Sequence, residues 1–210
     1  MTPAPSQLTR KQIVRAAIEL LDRDGADIFS MRRLGAALGV DPMAVYYHLP
    51  NKAALFDAVV DAIWEETDAK QAPEPGASWQ EIAAMVVRAL RRQLLHHPRL
   101  VSIVATRPVV TPAMLELTER ALGYLAAAGL PPASAMQLLD CLVAYTVGKL
   151  QGEVREPVGG VGDSPESVYA ALTPETHPHL ARAMGEGYGW DPEVEFELGL
   201  QAMTQGWQPR

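Results

Sequence analysis

The side chains with the clearest binding chemistry lie in one segment, Ser30–His48, with the sequence SMRRLGAALGVDPMAVYYH. The side chains that we expect to face solvent there are Met43, Ala44, Tyr46, Tyr47 and His48. Hydroxyl and imidazole groups hydrogen-bond to phosphates and base edges, and apolar side chains contact thymine methyl groups in the major groove of DNA. This segment is therefore a candidate surface for binding double-stranded DNA.

Groups that bind phosphate lie on both sides of these residues. Ser30 is predicted to cap a short helix that carries Arg32 and Arg33 in its first turn. Asn51 is predicted to cap the next long helix, and Lys52 follows beside the free backbone amides. A cation at a helix N-terminus is unfavourable unless an anion binds there, so Lys52 predicts phosphate contact. For Arg32 and Arg33, a solvated surface is the alternative interpretation.

A helix-turn-helix is the element that would position these groups. Two helices that cross near a right angle need a small residue at their closest approach and a residue that tolerates positive φ at the turn. Gly35 and Gly39 meet these two needs, and Asp41-Pro42 is a favourable start for the second helix. The apolar anchors on either side of the turn are Leu34, Leu38, Val40 and Val45.

The whole chain is predicted to be all-α. Apolar residues recur at i, i+3, i+4 and i+7 between helix breakers, and no segment shows the alternation typical of strands. A capping box of Thr9 and Gln12 begins the first helix, and Asp24-Gly25 ends it. Further helices are predicted from Trp79 to His97, Pro112 to Ala128, Ala133 to Gly152, Pro174 to Met184 and Pro192 to Trp207.

The charge distribution divides the chain into two parts. A net charge of −7 over 210 residues argues, taken whole, against a nucleic-acid binder. Residues 1–52, however, hold seven Lys or Arg against five Asp or Glu, whereas residues 53–210 hold eleven against twenty. We therefore predict a helix-turn-helix domain over residues 1–52 and a helical domain over residues 53–210, connected by a helix that begins near residue 51.

Several other classes of protein are not favoured by the sequence. The single cysteine, Cys141, excludes an intramolecular disulfide, and we expect its thiol to be buried. No signal segment or membrane span is found, so we expect a cytoplasmic protein without membrane contact. His96 and His97 precede Pro98, where we expect them to interact with a helix C-terminus. The sequence contains no Gly-rich phosphate loop, G-x-S-x-G elbow or H-E-x-x-H motif, so we predict no catalytic residue, cofactor or metal.

The first sixty residues resemble the DNA-binding domain of the TetR family of transcriptional repressors. The family pattern of Gly-Val, a short helix ending in Tyr-x-His, and Asn-Lys-x-x-Leu occurs here as Gly39-Val40, Tyr46-Tyr47-His48 and NKAAL at 51–55. Ser78-Trp79-Gln80, Thr106-Arg107-Pro108 and residues 196–206 resemble the C-terminal domain of the tetracycline repressor branch. The resemblance implies operator contacts by Arg32, Pro42, Met43, Tyr46, Tyr47 and His48, with Lys52 on a phosphate.

The resemblance further implies a homodimer that binds a palindromic operator. Two predicted helices carry small residues three or four positions apart, which is typical of close helix packing. We favour a dimer interface on these helices, and packing within one chain is the alternative. The predicted interface residues are Cys141, Ala144, Gly148, Gly152, Gly199, Ala202, Met203 and Gly206.

A small-molecule effector site in residues 53–210 is also implied by the resemblance. The positions carried over from the tetracycline repressor are Asp68, Val86, Leu90, Ile103 and Thr106, and Trp64 and Met136 would add apolar walls. Ile103 stands where a histidine metal ligand is expected, and hydrocarbon cannot bind Mg²⁺. We therefore expect a largely apolar or aromatic effector rather than magnesium-tetracycline. Ordinary core packing is the alternative for each apolar position.

Two functions from other classes remain as alternatives to a repressor. An all-α enzyme would need catalytic groups that converge in the second domain. A protein-interaction module would use the tyrosine-rich helix to bind a protein partner. A turnover screen of the purified protein would test the enzyme, and salt-sensitive binding to a palindrome would argue against the interaction module.

Overall fold

The structure is a computed structural model that describes residues 8–67, 72–107, 110–154, 167, 169 and 172–209. Every regular element in this part of the chain is a helix, which confirms the predicted all-α fold. The α-helices are α1 (Arg10–Asp24), α2 (Met31–Leu38), α3 (Pro42–His48), α4 (Lys52–Glu66), α5 (Trp79–His96), α6 (Val101–Thr106), α7 (Pro112–Ala127), α8 (Pro132–Val154), α9 (Pro178–Gly185) and α10 (Pro192–Gly206). A single 3₁₀ turn, Pro98–Leu100, joins α5 to α6.

Side-chain caps begin the N-terminal helices where the sequence predicts them. Thr9 and Gln12 form a reciprocal capping box at the start of α1. The Ser30 hydroxyl accepts a hydrogen bond from the backbone amide of Arg33, and Asn51 caps α4 in the same way. Each such cap stabilises a helix by about 1 kcal/mol. Together they fix the first residues of α1, α2 and α4, and so the frame that holds α3.

Two glycines set the path of the chain between α2 and α3. Gly39 ends α2 in the left-handed region, with φ 68° and ψ 28°, which glycine adopts without steric cost. A Cβ atom on Gly35 would lie 3.0 Å from the Val40 carbonyl oxygen and 3.2 Å from the Pro42 nitrogen. The predicted close approach at Gly35 is therefore made to the backbone of the turn that leads into α3.

One hydrophobic core extends from the N-terminal helices into the rest of the chain. Ile13 and Leu21 of α1 and Leu55 and Ile63 of α4 are fully buried in it. Leu100, from the 3₁₀ turn after α5, is buried in the same cluster. We call this cluster the first core. The first core includes side chains from both sides of residue 52. The predicted domain boundary there therefore stays a prediction about function, because it does not separate two hydrophobic cores.

A second core lies between α5, α7, α8 and α10. Its buried side chains include Val87 of α5, Leu125 of α7, Leu138 of α8 and Phe196 of α10. Burying large apolar side chains such as these contributes roughly 1.5–3 kcal/mol each. This second core fixes α8 and α10 side by side.

A buried guanidinium joins the same helices through polar contacts. The Arg91 side chain is 4% exposed and pairs with Glu153 at 2.7 Å and with Glu193 at 3.0 Å. Its guanidinium carbon also lies 4.7 Å from the centre of the Phe196 ring. Because an unpaired buried charge is costly, loss of either carboxylate would destabilise the contact between α5, α8 and α10.

Two segments differ from the helices predicted by periodicity. Residues 98–106 form the 3₁₀ turn and α6, although no helix was predicted there, because both pieces are too short for a period to be visible. The helix predicted from Pro174 begins only at Pro178, which occupies the first helical position. Ahead of it, the Thr176 amide donates to the Thr173 carbonyl in a turn.

Candidate nucleic-acid interface and ligand site

Helix α3 presents large side chains to solvent, as the sequence predicts. Tyr47 is 88% exposed and Met43 is 71% exposed, whereas Val45 between them is fully buried in the first core. Tyr46 is also exposed, and the Tyr47 and His48 rings meet edge to face at 5.3 Å. The short helix is thus anchored on one side and open on the other.

The exposure predicted for two other α3 positions is only partly correct. Ala44 and His48 are half-buried, and so is Pro42. Their distance along the helix from Val45 explains this, because they flank the buried face while Met43 and Tyr47 lie opposite it. The Asp41 side chain caps the helix by accepting from the Met43 amide at 2.8 Å.

The two arginines of α2 differ in their surroundings. Arg33 donates to the Asp24 carboxylate at 2.6 Å, and Asp24 also pairs with Arg23 at 3.0 Å. The hydrogen bond from Arg23, helped by Arg33, holds the pKa of Asp24 below its usual range. Arg32 is exposed and has no partner among the residues that the structure describes. Of the two, Arg32 is the one whose guanidinium is open to an incoming phosphate.

Lys52 is held in place by groups of its own chain. Its Nζ donates to the Phe29 carbonyl at 3.1 Å and lies 5.4 Å and 5.1 Å from the ring centres of Phe29 and Phe56. These contacts offset part of the unfavourable interaction between a cation and a helix N-terminus. The prediction from the sequence assumed that a bound phosphate offsets this interaction. Phosphate contact by Lys52 therefore stays a prediction.

The residues predicted to surround an effector are only partly brought together. Trp64, Leu90 and Ile103 are buried together in the first core. Val86 is buried in the second core instead, and Thr106 is exposed with its hydroxyl 2.7 Å from the Ser102 carbonyl. The alternative of plain core packing remains open for the three apolar residues.

Met136 is 36% exposed on the outer side of α8, where Ala135, Leu138 and Leu139 occupy the buried positions, and its role as a pocket wall stays a prediction. Asp68 lies outside the described residues.

Helix α4 is tied to the residues that follow it by two contacts that the sequence analysis missed. The Arg107 Nε donates to Asp57 Oδ1 at 2.9 Å, and Asp61 Oδ1 accepts from the Ala113 amide at 3.0 Å. The Thr-Arg-Pro motif was noticed in the sequence, but nothing in it indicated that Arg107 reaches α4. The ends of α6 and α7 therefore both bind the helix that carries Lys52.

A second missed contact joins α1 to the end of α5. The His97 Nδ1 lies 2.7 Å from Asp22 Oδ2, and the Arg99 guanidinium donates to the Arg23 carbonyl. The expectation that His97 interacts with its own helix end is therefore wrong for the imidazole ring. The imidazole pairs with Asp22 of α1 instead.

The outer faces of α8 and α10 form one surface rich in small residues. Six predicted dimer-interface residues are exposed on it, namely Cys141, Ala144, Gly148, Gly152, Ala202 and Gly206. The prediction that the Cys141 thiol is buried is wrong, because Leu138 and Leu142 take the inward positions of that helix.

The remaining two interface residues pack within the chain. A Cβ atom on Gly199 would lie 2.0 Å from the Tyr145 hydroxyl, so this glycine makes room for Tyr145. Met203 is half-buried against the second core. The sequence analysis missed Val194 and Leu198, which are 53% and 61% exposed on the same face of α10.

Over the described ranges, no three His, Cys, Asp or Glu side chains lie close enough to hold a metal ion. None of the helices in those ranges combines the length and the apolar character needed to cross a membrane.

The chain is similar to known regulators over both of its parts. Residues 13–59 match the sequence profile of the bacterial regulatory proteins of the tetR family, and residues 72–209 match that of the tetracyclin repressor-like C-terminal domain. An HTH-type transcriptional regulator of Saccharopolyspora erythraea is 35% identical over 146 residues, which are 70% of this chain and 61% of that protein. The chain thus aligns with less than two thirds of that regulator.

Other relatives align over almost their full length. The class A tetracycline repressor protein from transposon 1721, found in Escherichia coli, is 29% identical over 96% of this chain and 91% of its own. ActR of Streptomyces coelicolor, solved in complex with actinorhodin, is 30% identical with a TM-score of 0.83, and the match covers 97% of both chains.

Proposed function

This chain belongs to the TetR family of DNA-binding transcriptional regulators, and from this premise we propose that it is a homodimeric repressor released from DNA by a small molecule. Its two α3 helices bind the half-sites of a palindromic operator. A largely apolar or aromatic effector enters the helices beyond residue 52 and releases the operator. The protein acts in the cytoplasm and has no catalytic activity of its own.

The exposure of α3 is the observation that carries the proposal. Met43 and Tyr47 project from a helix whose opposite side is anchored by Val45. Large apolar and aromatic side chains on a rigid, exposed element mark a binding surface. In a helix-turn-helix, the second helix enters the major groove while the first crosses the backbone. Arg32 and Lys52 supply the cations on either side that a phosphate backbone requires.

The outer surface of α8 and α10 supports the homodimer. Its exposed small residues let another helix approach closely, and Val194 and Leu198 add large apolar side chains that are otherwise exposed to water. In a two-fold dimer the same patch of each subunit meets its copy. A pair of α3 helices then engages half-sites roughly 34–36 Å apart, one turn of B-DNA. Pairing gives the weakly basic residues 1–52 twice their contacts with DNA.

The effector proposal rests on the buried apolar residues and on solved relatives. ActR has been solved with actinorhodin and with (S)-DNPA, and a TetR variant of Acinetobacter baumannii with minocycline. In this chain Trp64, Leu90 and Ile103 supply an apolar surface, and Thr106 and Asp68 supply polar groups to orient a ligand. A hydrocarbon side chain at Ile103 disfavours a hard cation, so magnesium is not part of the proposed complex.

Helix α4 is the element through which the effector acts on the operator. Its Trp64 end lies among the proposed effector residues, and Lys52 lies at its other end beside α3. The contacts Arg107 to Asp57 and Ala113 to Asp61 attach α4 to α6 and α7. An effector that binds better to a different placement of these helices shifts α4, and the two α3 helices of the dimer no longer match the operator spacing.

Selection of bound fragments from the source genome tests the proposed function directly. Purified protein is mixed with sheared genomic DNA, and the retained fragments are sequenced. We expect enrichment of a palindrome with half-sites about one helical turn apart. Retention of fragments without a shared palindrome, or of none, would contradict the proposal. Addition of candidate small molecules to the retained complexes then tests release.

A further inference from the structure

Arg120 of α7 carries a guanidinium whose inner nitrogen has no hydrogen-bond partner. The Arg120 Nε is inaccessible to solvent and unpaired, and the side chain as a whole is half-buried. Glu116, one helical turn earlier, is in the favourable arrangement for an ion pair with Arg120, but it is exposed and no ion pair forms. A buried donor without an acceptor costs free energy, so its presence requires an explanation.

The described carboxylates on the helices that pack against α7 either have other partners or are exposed to solvent. In the described residues, Asp57 pairs with Arg107, and Asp61 accepts from the Ala113 amide. The others with partners are Glu66 with Gln93, Glu81 with Ser78 and Glu153 with Arg91. Glu65 and Asp140 are exposed. The described residues of these helices therefore offer Arg120 no counter-charge.

The position of Arg120 connects it with the proposed effector residues. On one side along α7 is Leu117, which is buried in the first core with Trp64, Leu90 and Ile103. On the other side is Ala121, which is buried in the second core with Val86. Along α7, Arg120 thus lies between a residue of the first core and a residue of the second core, on a helix that packs against α4, α5 and α8.

We propose that Arg120 binds the negatively charged group of the effector, which is an aromatic carboxylic acid. This inference rests on the proposed function and specifies the chemical class of its ligand. A guanidinium matches a carboxylate with two parallel hydrogen bonds, and the first core, which Leu117 shares with Trp64, Leu90 and Ile103, supplies apolar side chains for a ring. The acid supplies the acceptor that Arg120 Nε lacks. Because this nitrogen is inaccessible to solvent in the ligand-free chain, the half-buried side chain must shift when the acid binds.

The first experiment compares acids with their neutral esters on the full-length protein. Benzoate, salicylate and naphthoate are each paired with the corresponding methyl ester, and binding is measured by calorimetry and by the shift in melting temperature. We expect at least one acid to bind roughly tenfold or more tightly than its ester, the effect of one charge-assisted hydrogen bond. Equal binding of acid and ester, or no binding of any acid, would overturn the inference.

The second experiment assigns the effect to Arg120. The variant Arg120→Met keeps an unbranched apolar stem and removes the guanidinium, and Arg92→Met removes an exposed guanidinium of α5 as the matched control. We expect Arg120→Met to lose the preference for the acid while its ligand-free melting temperature stays equal or rises, because an unpaired cation is gone. Unchanged acid binding, or a lowered melting temperature without loss of the preference, would assign Arg120 a structural role.

Failure of this inference is distinguishable from failure of the repressor function. Operator binding and its release are measured for the wild-type protein in the same preparations. Release by a neutral aromatic compound, with no response to acids, would refute the anionic effector and leave the repressor intact. Absence of operator binding would instead refute the proposed function itself.

Discussion

The imidazole Nδ1 of His97 lies 2.7 Å from the Asp22 carboxylate, and this contact links α1 to the residues that follow α5. The neighbouring Arg99 donates to the Arg23 carbonyl, so two successive polar contacts hold the end of α1. The other oxygen of Asp22, Oδ1, is buried without a hydrogen-bond partner. Asp22 therefore depends on His97 alone among the described side chains.

Removal of the His97 ring is expected to destabilise the protein. In His97→Ala, both carboxylate oxygens of Asp22 lack a donor, which costs about 1–3 kcal/mol of the free energy of unfolding. The measurement is urea denaturation at neutral pH. His96→Ala, at an exposed neighbouring position, serves as the control. Equal stability of the two variants would show that the Asp22 contact contributes nothing.

Tyr47→Ala is expected to abolish specific operator binding. Loss of one base contact costs about 1–3 kcal/mol per half-site, and the dimer loses it twice. The measurement is a gel-shift titration with the selected palindrome, alongside light scattering to show that the dimer persists. Tyr188→Ala removes an exposed tyrosine far from α3 in sequence and should bind as the wild type does. Unchanged affinity of Tyr47→Ala would exclude α3 as the recognition helix.

Lys52→Gln is expected to weaken binding to all DNA sequences to a similar degree. Loss of one phosphate contact per subunit lowers the slope of log affinity against log salt by about 1 for each subunit. Affinities for operator and unrelated DNA, measured over a range of salt concentrations, check this expectation. A loss of sequence preference with an unchanged salt slope would contradict a phosphate role for Lys52.

Leu198→Glu is expected to convert the dimer to monomers. The substitution places a charge on the exposed surface of α8 and α10 that we propose as the dimer interface, where a second copy of that surface would bury it. Sedimentation velocity over a range of concentrations gives the dissociation constant. Leu180→Glu, at an exposed position on α9, is the control and should remain dimeric. A dimer of unchanged stability in Leu198→Glu would place the interface elsewhere.

Stability at acid pH is expected to depend on Glu197. The hydrogen bond from Arg88 holds the pKa of Glu197 below its usual range. A carboxylate with a lowered folded-state pKa contributes stability above its unfolded pKa, about 4.3, and this contribution is lost as the pH falls through the folded-state value. Glu197→Gln should therefore be less stable than the wild type at neutral pH, with a difference that shrinks on acidification. The measurement is the urea concentration at the midpoint of unfolding for both proteins across this pH range. A difference in stability that does not change with pH would be inconsistent with the ion pair between Arg88 and Glu197.

The sequence was sufficient for features that depend on local backbone chemistry. The caps at Thr9, Ser30 and Asn51, the left-handed Gly39 and the buried Val45 are where residue type and spacing predict them. Each depends on residues within four positions along the chain, so a single segment contains the whole signal.

Features that depend on long-range packing were not predictable in the same way. Arg107 meets Asp57 fifty positions away, and His97 meets Asp22 across seventy-five. Periodicity also left open which of several apolar faces of α8 is buried, so the prediction that Cys141 is buried was wrong. That Arg120 lacks a partner could be recognised only from the structure, because it depends on the positions of the nearby carboxylates.

The continuity of the first core across residue 52 bears on how this chain can be recombined with its relatives. Ile13 and Leu21 of α1 bury against α4 and share their cluster with Leu100, which lies almost eighty residues beyond Leu21. A chimaera that exchanges only residues 1–52 would set these side chains against a foreign surface. Transplanting the operator specificity of this protein would therefore require the α3 surface residues alone, or the N-terminal helices together with α4 and the segment from the end of α5 through α6.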